Sequence, residues 1–497
     1  MPAKPNFVYI FCDDLGWGDV SCLNSESKIQ TPNIDRLATS GMSFTDAHTG
    51  SAVCTPSRYT LLTGRYCWRT ELKDGVGGGY SPPLITPDRL TVAEMLKQNG
   101  YRTACIGKWH VGFDWQLKDE FGDDAMPRHL CREETRFDDM VDFAKPILNG
   151  PTDVGFDYYF GISASLDMSP YVFIENDRAT DIPCEIVPRG TTPEARAREG
   201  IGAKGWRHED VLPALRDKSI RFIKQEAAAG NPFFLYLPVN GPHTPVVPNA
   251  EWIGKSGAGL YGDFVMEIDD VVGQIVATLE EAGVRDNTMV VFSSDNGPET
   301  LTARYRESYG HYSAWKFRGM KRDNWEGGHR VPFVVSWPAA VTAGSTCERF
   351  VELVDFMATV AEIVDADVPE TAAEDSRSIL PLLEGDFGAD CRPFAIHHSC
   401  NGQWAIRRGK YKLLLHSGSG GNRCECPENN DPVQLYDLEA DLFETTNIYA
   451  DHLDIVRELR ELCLSCIQDG RSTPGQPLDN DPNGEWRQLE ALLRLEV

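Results

Sequence analysis

Residues 7–14 read Phe-Val-Tyr-Ile-Phe-Cys-Asp-Asp, and the fold turns on them. Five large apolar residues in succession, with no polar alternation, form the pattern of a strand buried on both faces. Such strands belong to parallel sheets covered by helices. Runs of the same character recur at 103–106, 233–239 and 289–292. Helical stretches separate them at 91–99, 212–229 and 263–282. The last carries apolar residues at 264, 265, 268, 271, 272, 275, 276 and 279, a single helical stripe. Its Glu267, Asp269 and Asp270 read as a solvated face. Strands alternating with helices predict an α/β fold, a doubly wound, mostly parallel sheet with helices on both faces.

Beyond about residue 385 the pattern changes. Short strands at 394–398, 403–407, 411–415 and 434–438 follow one another at hairpin spacing, and a helix follows at 454–467. These predict a smaller C-terminal α+β domain on an antiparallel sheet, with the chain divided into 1–385 and 386–497. Residues 417–432 read as a loop, and 116–135 and 175–208 as charged insertions over the main sheet. A chain of 497 residues is long for one core, in keeping with two domains.

Net charge is 48 − 75 = −27. That excludes a basic nucleic-acid footprint and attraction to anionic membrane surfaces. No apolar run is long enough to span a bilayer. Any anionic ligand must therefore meet a local cationic pocket inside an acidic shell. Few residues precede the first strand, too few for a signal peptide, so the expected compartment is the cytoplasm, or the periplasm or exterior if a leader has been removed. The 14 cysteines are scattered and read as free thiols.

In α/β sheets, ligands bind beyond the carboxyl ends of the strands. Four strands here run straight into polar residues: Asp13-Asp14, Gly107-Lys108-Trp109-His110, Asn240-Gly241-Pro242-His243, and Ser293-Ser294-Asp295-Asn296. Asp13, Asp14, Asp295 and Asn296 supply the oxygen donors of a hard divalent cation, although either pair alone also fits a cap or turn. Residues 54–58, Cys-Thr-Pro-Ser-Arg, predict a helix start with Thr55 as N-cap, Pro56 at the first position and Gly64 as the stop. Cys54 then sits at an amide-rich end suited to a tetrahedral anion, with Arg58 on the same face as a forked donor. Those five residues alone equally fit an ordinary helix start with a small buried cysteine.

The stretch Cys-Thr-Pro-Ser-Arg…Thr-Gly-Arg resembles the signature of the type I sulfatases, the formylglycine branch of the alkaline phosphatase superfamily, and is most similar to the arylsulfatase-A-like enzymes. The resemblance implies that Cys54 is oxidised to formylglycine by a formylglycine-generating or anaerobic sulfatase-maturating enzyme. It implies that Asp13, Asp14, Asp295 and Asn296, with residue 54, hold Ca2+, Mg2+ being the alternative. Lys108 and His110 match the family's Gly-Lys-Trp-His-Leu-Gly, with Val111 in place of leucine. His243 lies in Gly-Pro-His-Thr-Pro and Lys321 shortly before Glu-Gly-Gly. The implied roles are sulfuryl binding for Arg58, Lys108 and Lys321, leaving-group protonation by His243, and proton abstraction by Asp295 and then His110. Ser165 matches a sulfate-touching serine. Asp167, His311 and Arg318, with Trp68-Arg69 and 161–171, are candidate walls of a sugar pocket.

The implied substrate is a sulfated carbohydrate or aryl sulfate. The alternatives are a phosphonate monoester or phosphodiester hydrolase, or an inactive anion-binding homologue. His48, His397 and His398 are expected to pack outside the site. Cys424-x-Cys426 and Cys463-x-x-Cys466 have metal-like spacing without a second pair.

Overall fold

A computed structural model describes residues 4–122, 135–421, 431–481 and 486–494. The first strand, Asn6–Asp13, is buried along its whole length and lies near the middle of a ten-stranded sheet. It pairs in parallel with Phe233–Pro242 on one side and Thr288–Ser294 on the other. Arg102–Lys108 and then Tyr158–Ile162 extend the parallel block outward. Antiparallel strands cap both margins, Phe333–Ser336 beside Thr288–Ser294 and Ile174–Glu175 beside Tyr158–Ile162.

The period-2 geometry of a strand explains the unbroken apolar run. Phe7, Tyr9 and Phe11 face one core, and Val8, Ile10 and Cys12 face the other. On the aromatic side pack the helices Cys54–Thr63, Val92–Gln98 and Phe356–Val364; on the aliphatic side pack Pro32–Thr39, Val211–Ala229 and Gly259–Glu281. The doubly wound reading stands, as a mixed sheet whose centre is parallel. Because the five central strands run the same way, their carboxyl ends open on one edge.

The C-terminal sheet is fully antiparallel, in the order Phe394–His398, Trp404–Arg408, Tyr411–Leu414, Gln434–Asp437. The helix Leu453–Gln468 covers it, with Val456, Leu459, Cys463 and Cys466 in the shared core. Cys463 and Cys466 are therefore packing residues, while Cys424 and Cys426 lie outside the described residues. No helix among the described residues is long and apolar enough to cross a membrane.

One expectation is corrected. Glu267 and Asp269 are not on a solvated face; both are buried. Glu267 accepts from Asn249 N and Nδ2 (2.8 and 2.7 Å). Asp269 accepts from the backbone amides of Asn33 and Ile34 (3.0 and 2.8 Å) and from Asn33 Nδ2 (2.8 Å). Asn33 and Ile34 are the second and third residues of Pro32–Thr39, whose own N-cap, Thr31, makes no side-chain cap bond. Asp269 thus caps that helix from another, satisfying amides the local sequence leaves open. Burial pushes its carboxyl up to about 6, so it is the charged acceptor at neutral pH. Asp269→Ala is expected to cost about 2 kcal/mol, lowering the melting temperature by a few degrees, with Asp269→Asn intermediate. A scanning-calorimetry trace unchanged in the alanine variant would refute the capping role.

Candidate active site

The Cys54–Thr63 helix starts earlier than the sequence suggests. Val53 is its N-cap, extended at φ −147°, ψ 155°, and Thr55 lies in the first turn, where its hydroxyl accepts from Gly77 N at 3.1 Å. Pro56 is then the third helical residue, still within the turn whose amides have no helical partner, so its missing N–H is not felt. Ser57 Oγ ties the start down by donating to Val53 O and Ser51 O (3.0 and 2.9 Å). Gly64 ends the helix at φ 65°. Every residue of it is buried, and Cys54 is 2% exposed.

The sheet edge gathers the polar residues around this helix start. Donor atoms of Asp13, Cys54 and Asp295 lie within 4.8 Å of one another, as do those of Asp13, Asp14 and His243. Asn296 Nδ2 donates to Asp14 Oδ1 at 2.8 Å, and Asp14 N to Asp295 Oδ1 at 3.2 Å. Asp14 and His110 both hold left-handed backbone, φ 68° and 58°. That conformation costs an L-residue roughly 1–3 kcal/mol and persists where the surroundings over-determine it.

Each cation has a carboxylate. Lys108 Nζ donates to Asp13 Oδ2 (2.7 Å) and to Ser165 Oγ (2.5 Å). Lys321 Nζ reaches both oxygens of Asp14, at 2.6 and 2.8 Å. Arg58 donates through Nε and one terminal nitrogen to Asp295 Oδ2 (3.0 and 2.6 Å), and through the other to Lys108 O (3.2 Å). Asp295 therefore occupies the guanidinium fork that the sequence offered to an anion. Burial works to raise the Asp13 carboxyl, but Lys108, His243 and Arg58 hold it below its ordinary value. Burial pushes the Cys54 thiol up, against the pull of Lys108 and Lys321.

The two histidines differ in what they leave open. His110 Nε2 faces the Gly77 carbonyl at 2.9 Å, an acceptor only, so Nε2 carries the hydrogen and Nδ1 keeps a lone pair. Nδ1 is buried without a hydrogen-bond partner, and burial, then Lys108 and Arg58, hold the ring well below the usual histidine range. His243 Nδ1 donates to Thr244 O at 2.6 Å, leaving Nε2 to face Asp14 Oδ2 at 3.7 Å.

The donor set suits a divalent cation. Asp13 Oδ1 and Asn296 Oδ1 are buried oxygens without hydrogen-bond partners beside two further carboxylates. Such orphans are costly unless something positive completes them.

Of the candidate sugar-pocket residues, Ser165 joins the site through Lys108, and Asp167 pairs with Arg198 at 3.8 Å. His311 lines a cavity together with Arg318; its Nε2 bonds Asp19 Oδ1 at 2.7 Å and its Nδ1 accepts from Lys28 N at 3.3 Å, so both nitrogens are taken. Arg318 lays its guanidinium over Trp325 at 3.8 Å and donates to Glu444 O at 2.7 Å. Trp68 and Arg69 are corrected outright. Both are buried: Trp68 packs against Trp404 and Trp486, joining the C-terminal sheet to the rest, and Arg69 makes a two-pronged bridge to Asp375 (2.9 and 2.8 Å). His48, His329 and His397 stack in a separate buried cluster, with His48 Nδ1 and His329 Nδ1 2.9 Å apart, and His398 Nε2 faces Lys73 O at 3.1 Å.

Two neighbours of the site escaped the sequence reading. Glu299 holds Arg322 through both oxygens (2.5 and 2.7 Å) and lies 3.8 Å from Lys321. Arg322 itself sits at φ 88°. The one available signal was position, since Glu299 closely follows Asp295-Asn296 and Arg322 follows Lys321.

Comparison with known proteins settles the lineage. Residues 5–366 match the sulfatase family, and residues 319–468 match the N-sulphoglucosamine sulphohydrolase C-terminal family. The chain belongs to the sulfatase family. This sulfatase is 34% identical over 504 residues to an N-acetylgalactosamine-6-O-sulfatase of Bacteroides thetaiotaomicron, covering 93% of each chain. It is 32% identical over 489 residues to bovine arylsulfatase A, covering 94% of this chain and 87% of the relative. A solved Bacteroides thetaiotaomicron sulfatase superposes with a TM-score of 0.80 at 34% identity, covering 93% of this sulfatase and 99% of that chain. The phosphonate monoester hydrolase of Agrobacterium radiobacter shares the fold, with a TM-score of 0.60 at 19% identity. The neighbours place this sulfatase in the alkaline phosphatase superfamily.

Proposed function

We propose that this sulfatase removes sulfate from a sulfated carbohydrate, using residue 54 as formylglycine and a bound divalent cation, Ca2+ before Mg2+. The observation that carries the reading is the convergence of Cys54, Lys108, Lys321, His110 and His243 on the sheet edge that also holds Asp13, Asp14, Asp295 and Asn296. Those four oxygen donors, with residue 54, would hold the cation, which when bound supplies Lewis-acid charge beside the sulfuryl group. The formylglycine hydrate supplies two hydroxyls on one carbon, one to attack sulfur and one to drive sulfate out.

The remaining chemistry falls to the chain's own side chains. Lys108, steadied by Ser165, and Lys321 offset negative charge on the sulfuryl oxygens. Arg58 fixes Asp295, which takes the proton of the attacking hydroxyl. His243 Nε2, with Lys321, protonates the leaving alcohol oxygen. His110 Nδ1 accepts the proton of the second hydroxyl, and its depressed basicity keeps that lone pair free at neutral pH. The 34% identical relative acts on 6-O-sulfated N-acetylgalactosamine by its name, which makes a 6-O-sulfated amino sugar the first substrate to try.

The shared fold with a phosphonate monoester hydrolase sets the rival. On matched aryl sulfate and aryl phosphonate esters, kcat/KM is expected to favour sulfate by roughly 100-fold or more, a transition-state difference of about 2.7 kcal/mol. A preference for the phosphonate would replace the proposal with its rival.

A further inference from the structure

One buried side chain at the sheet edge has no task in the proposed mechanism. Asn240 is fully buried, and neither its Oδ1 nor its Nδ2 has a hydrogen-bond partner among the described residues. An amide left open at both ends is costly unless a ligand completes it. Its strand is also irregular at this point. Phe11 pairs with Pro238 and Asp13 with Pro242, so two steps along Asn6–Asp13 face four along Phe233–Pro242, and Asn240 sits in the middle of the bulge. Bulges gather beside active sites, where they re-aim a side chain.

The neighbours of Asn240 fix the side it faces. Val239 belongs to the aliphatic core, and a Cβ on Gly241 would meet Phe264 and Ile268 of that same core. Asn240, between them, faces the opposite side of the sheet, where the Cys54–Thr63 helix packs. On that side Arg58 lies over the Phe11 ring at 5.5 Å and comes within 3.7 Å of Asp13 Oδ1. Cys54 has its sulfur within 4.8 Å of an Asp13 carboxylate oxygen. The strand of Asn240 runs between the one that ends in Asp13 and the one that leads through Lys108 to His110. Its amide therefore shares a face with residue 54, flanked by the carboxylates and by His110.

The two open ends define the ligand. Sulfuryl oxygens only accept, so they answer Nδ2 and leave Oδ1 bare; a cation answers Oδ1 and leaves Nδ2 bare. A carbon bearing two hydroxyls answers both. We infer that Asn240 holds the hydrated form of residue 54, with one hydroxyl donating to Oδ1 and the other accepting from Nδ2. The inference rests on the proposed conversion of residue 54 and deepens it: the amide keeps the diol from losing water and fixes its rotation between Asp295 and His110.

Asn240→Ala in the matured, Ca2+-loaded enzyme is expected to lower kcat for an aryl sulfate by about 100-fold, with KM within about twofold. Methoxyamine captures only the free aldehyde, and should label residue 54 roughly tenfold faster in the variant, read as a mass shift. Melting separates this role from a structural one. In protein made without the maturing enzyme residue 54 is a thiol and the amide has no partner to lose, so the substitution should move the melting temperature by no more than about a degree. In matured protein it should lower it by about two degrees more. Asn240→Leu, which fills the space of the amide, is expected to repeat the pattern, so that an empty cavity does not account for it. Equal melting shifts in the thiol and matured forms, or turnover and labelling like those of the wild type, overturn the inference and leave the sulfatase chemistry standing. A wild type that takes up no methoxyamine strikes the proposed function instead.

Discussion

Cys54→Ala is expected to lower kcat for sulfate-ester hydrolysis by about 10^4-fold or more, the scale seen when a covalent nucleophile is deleted. The fold should survive, because the start of the helix is held by Val53, Ser57 and Gly77 rather than by the cysteine sulfur. Melting temperature within a degree or two of the wild type would establish that the loss is chemical. The partner measurement is intact mass of active protein, which should reveal an aldehyde at residue 54. An alanine variant that hydrolyses aryl sulfates at the normal rate would end the covalent scheme.

Removing divalent cations is expected to abolish turnover by at least roughly 100-fold, with Ca2+ restoring it better than Mg2+. The physical reason lies in the buried charges. Arg58, Lys108 and Lys321 face Asp13, Asp14 and Asp295, all essentially sealed from water, so the set is formally balanced before any ligand arrives. An anion alone would tip it negative, and a divalent cation alone would tip it positive. Each ligand would therefore favour the other, and a cation held by Asp13 and Asp14 would leave Lys108 and Lys321 free to turn to the sulfuryl oxygens. Thermal shift gives a readout independent of turnover. At a hundred times its Kd a cation bound only by the folded chain contributes about 2.7 kcal/mol, and inorganic sulfate should add more in its presence than in its absence. Indifference of the melting curve to Ca2+ would show that these donors hold no such ion.

The central strands were legible because burial on both faces erases polar alternation, and residues 7–11, 233–239 and 289–292 carry that mark undiluted. Their carboxyl-end residues were legible for the same reason, since a polar pair after such a run stands out. Tyr158–Ile162, the fifth parallel strand, was not legible. Its Tyr-Tyr-Phe-Gly-Ile is short and interrupted by Gly161, packed against the backbone of Gly107 where no side chain fits. Without that strand the position of Ser165 rested on the family resemblance alone. Asp269 and Trp68-Arg69 were misread for a common reason. A carboxylate on a helix or an Arg beside a Trp looks the same in sequence whether it meets water or a distant partner, and Ile34 and Asp375 lie far away along the chain. Glu299 and Arg322 pair across a turn that only the folded edge creates.

The loop before Cys54 has a consequence for how the enzyme is made. Ala52 donates its amide to His398 O at 2.9 Å and accepts from the amide of Arg322 at 2.8 Å, and Cys400 N in turn donates to Arg322 O at 3.1 Å. The stretch leading to the cysteine is thereby sewn between the main body and a sheet that the ribosome completes late, and the thiol ends up locked away from any visiting oxidase. The proposed conversion of residue 54 to formylglycine is therefore expected to take place before this loop closes around it, on a chain that has not yet folded.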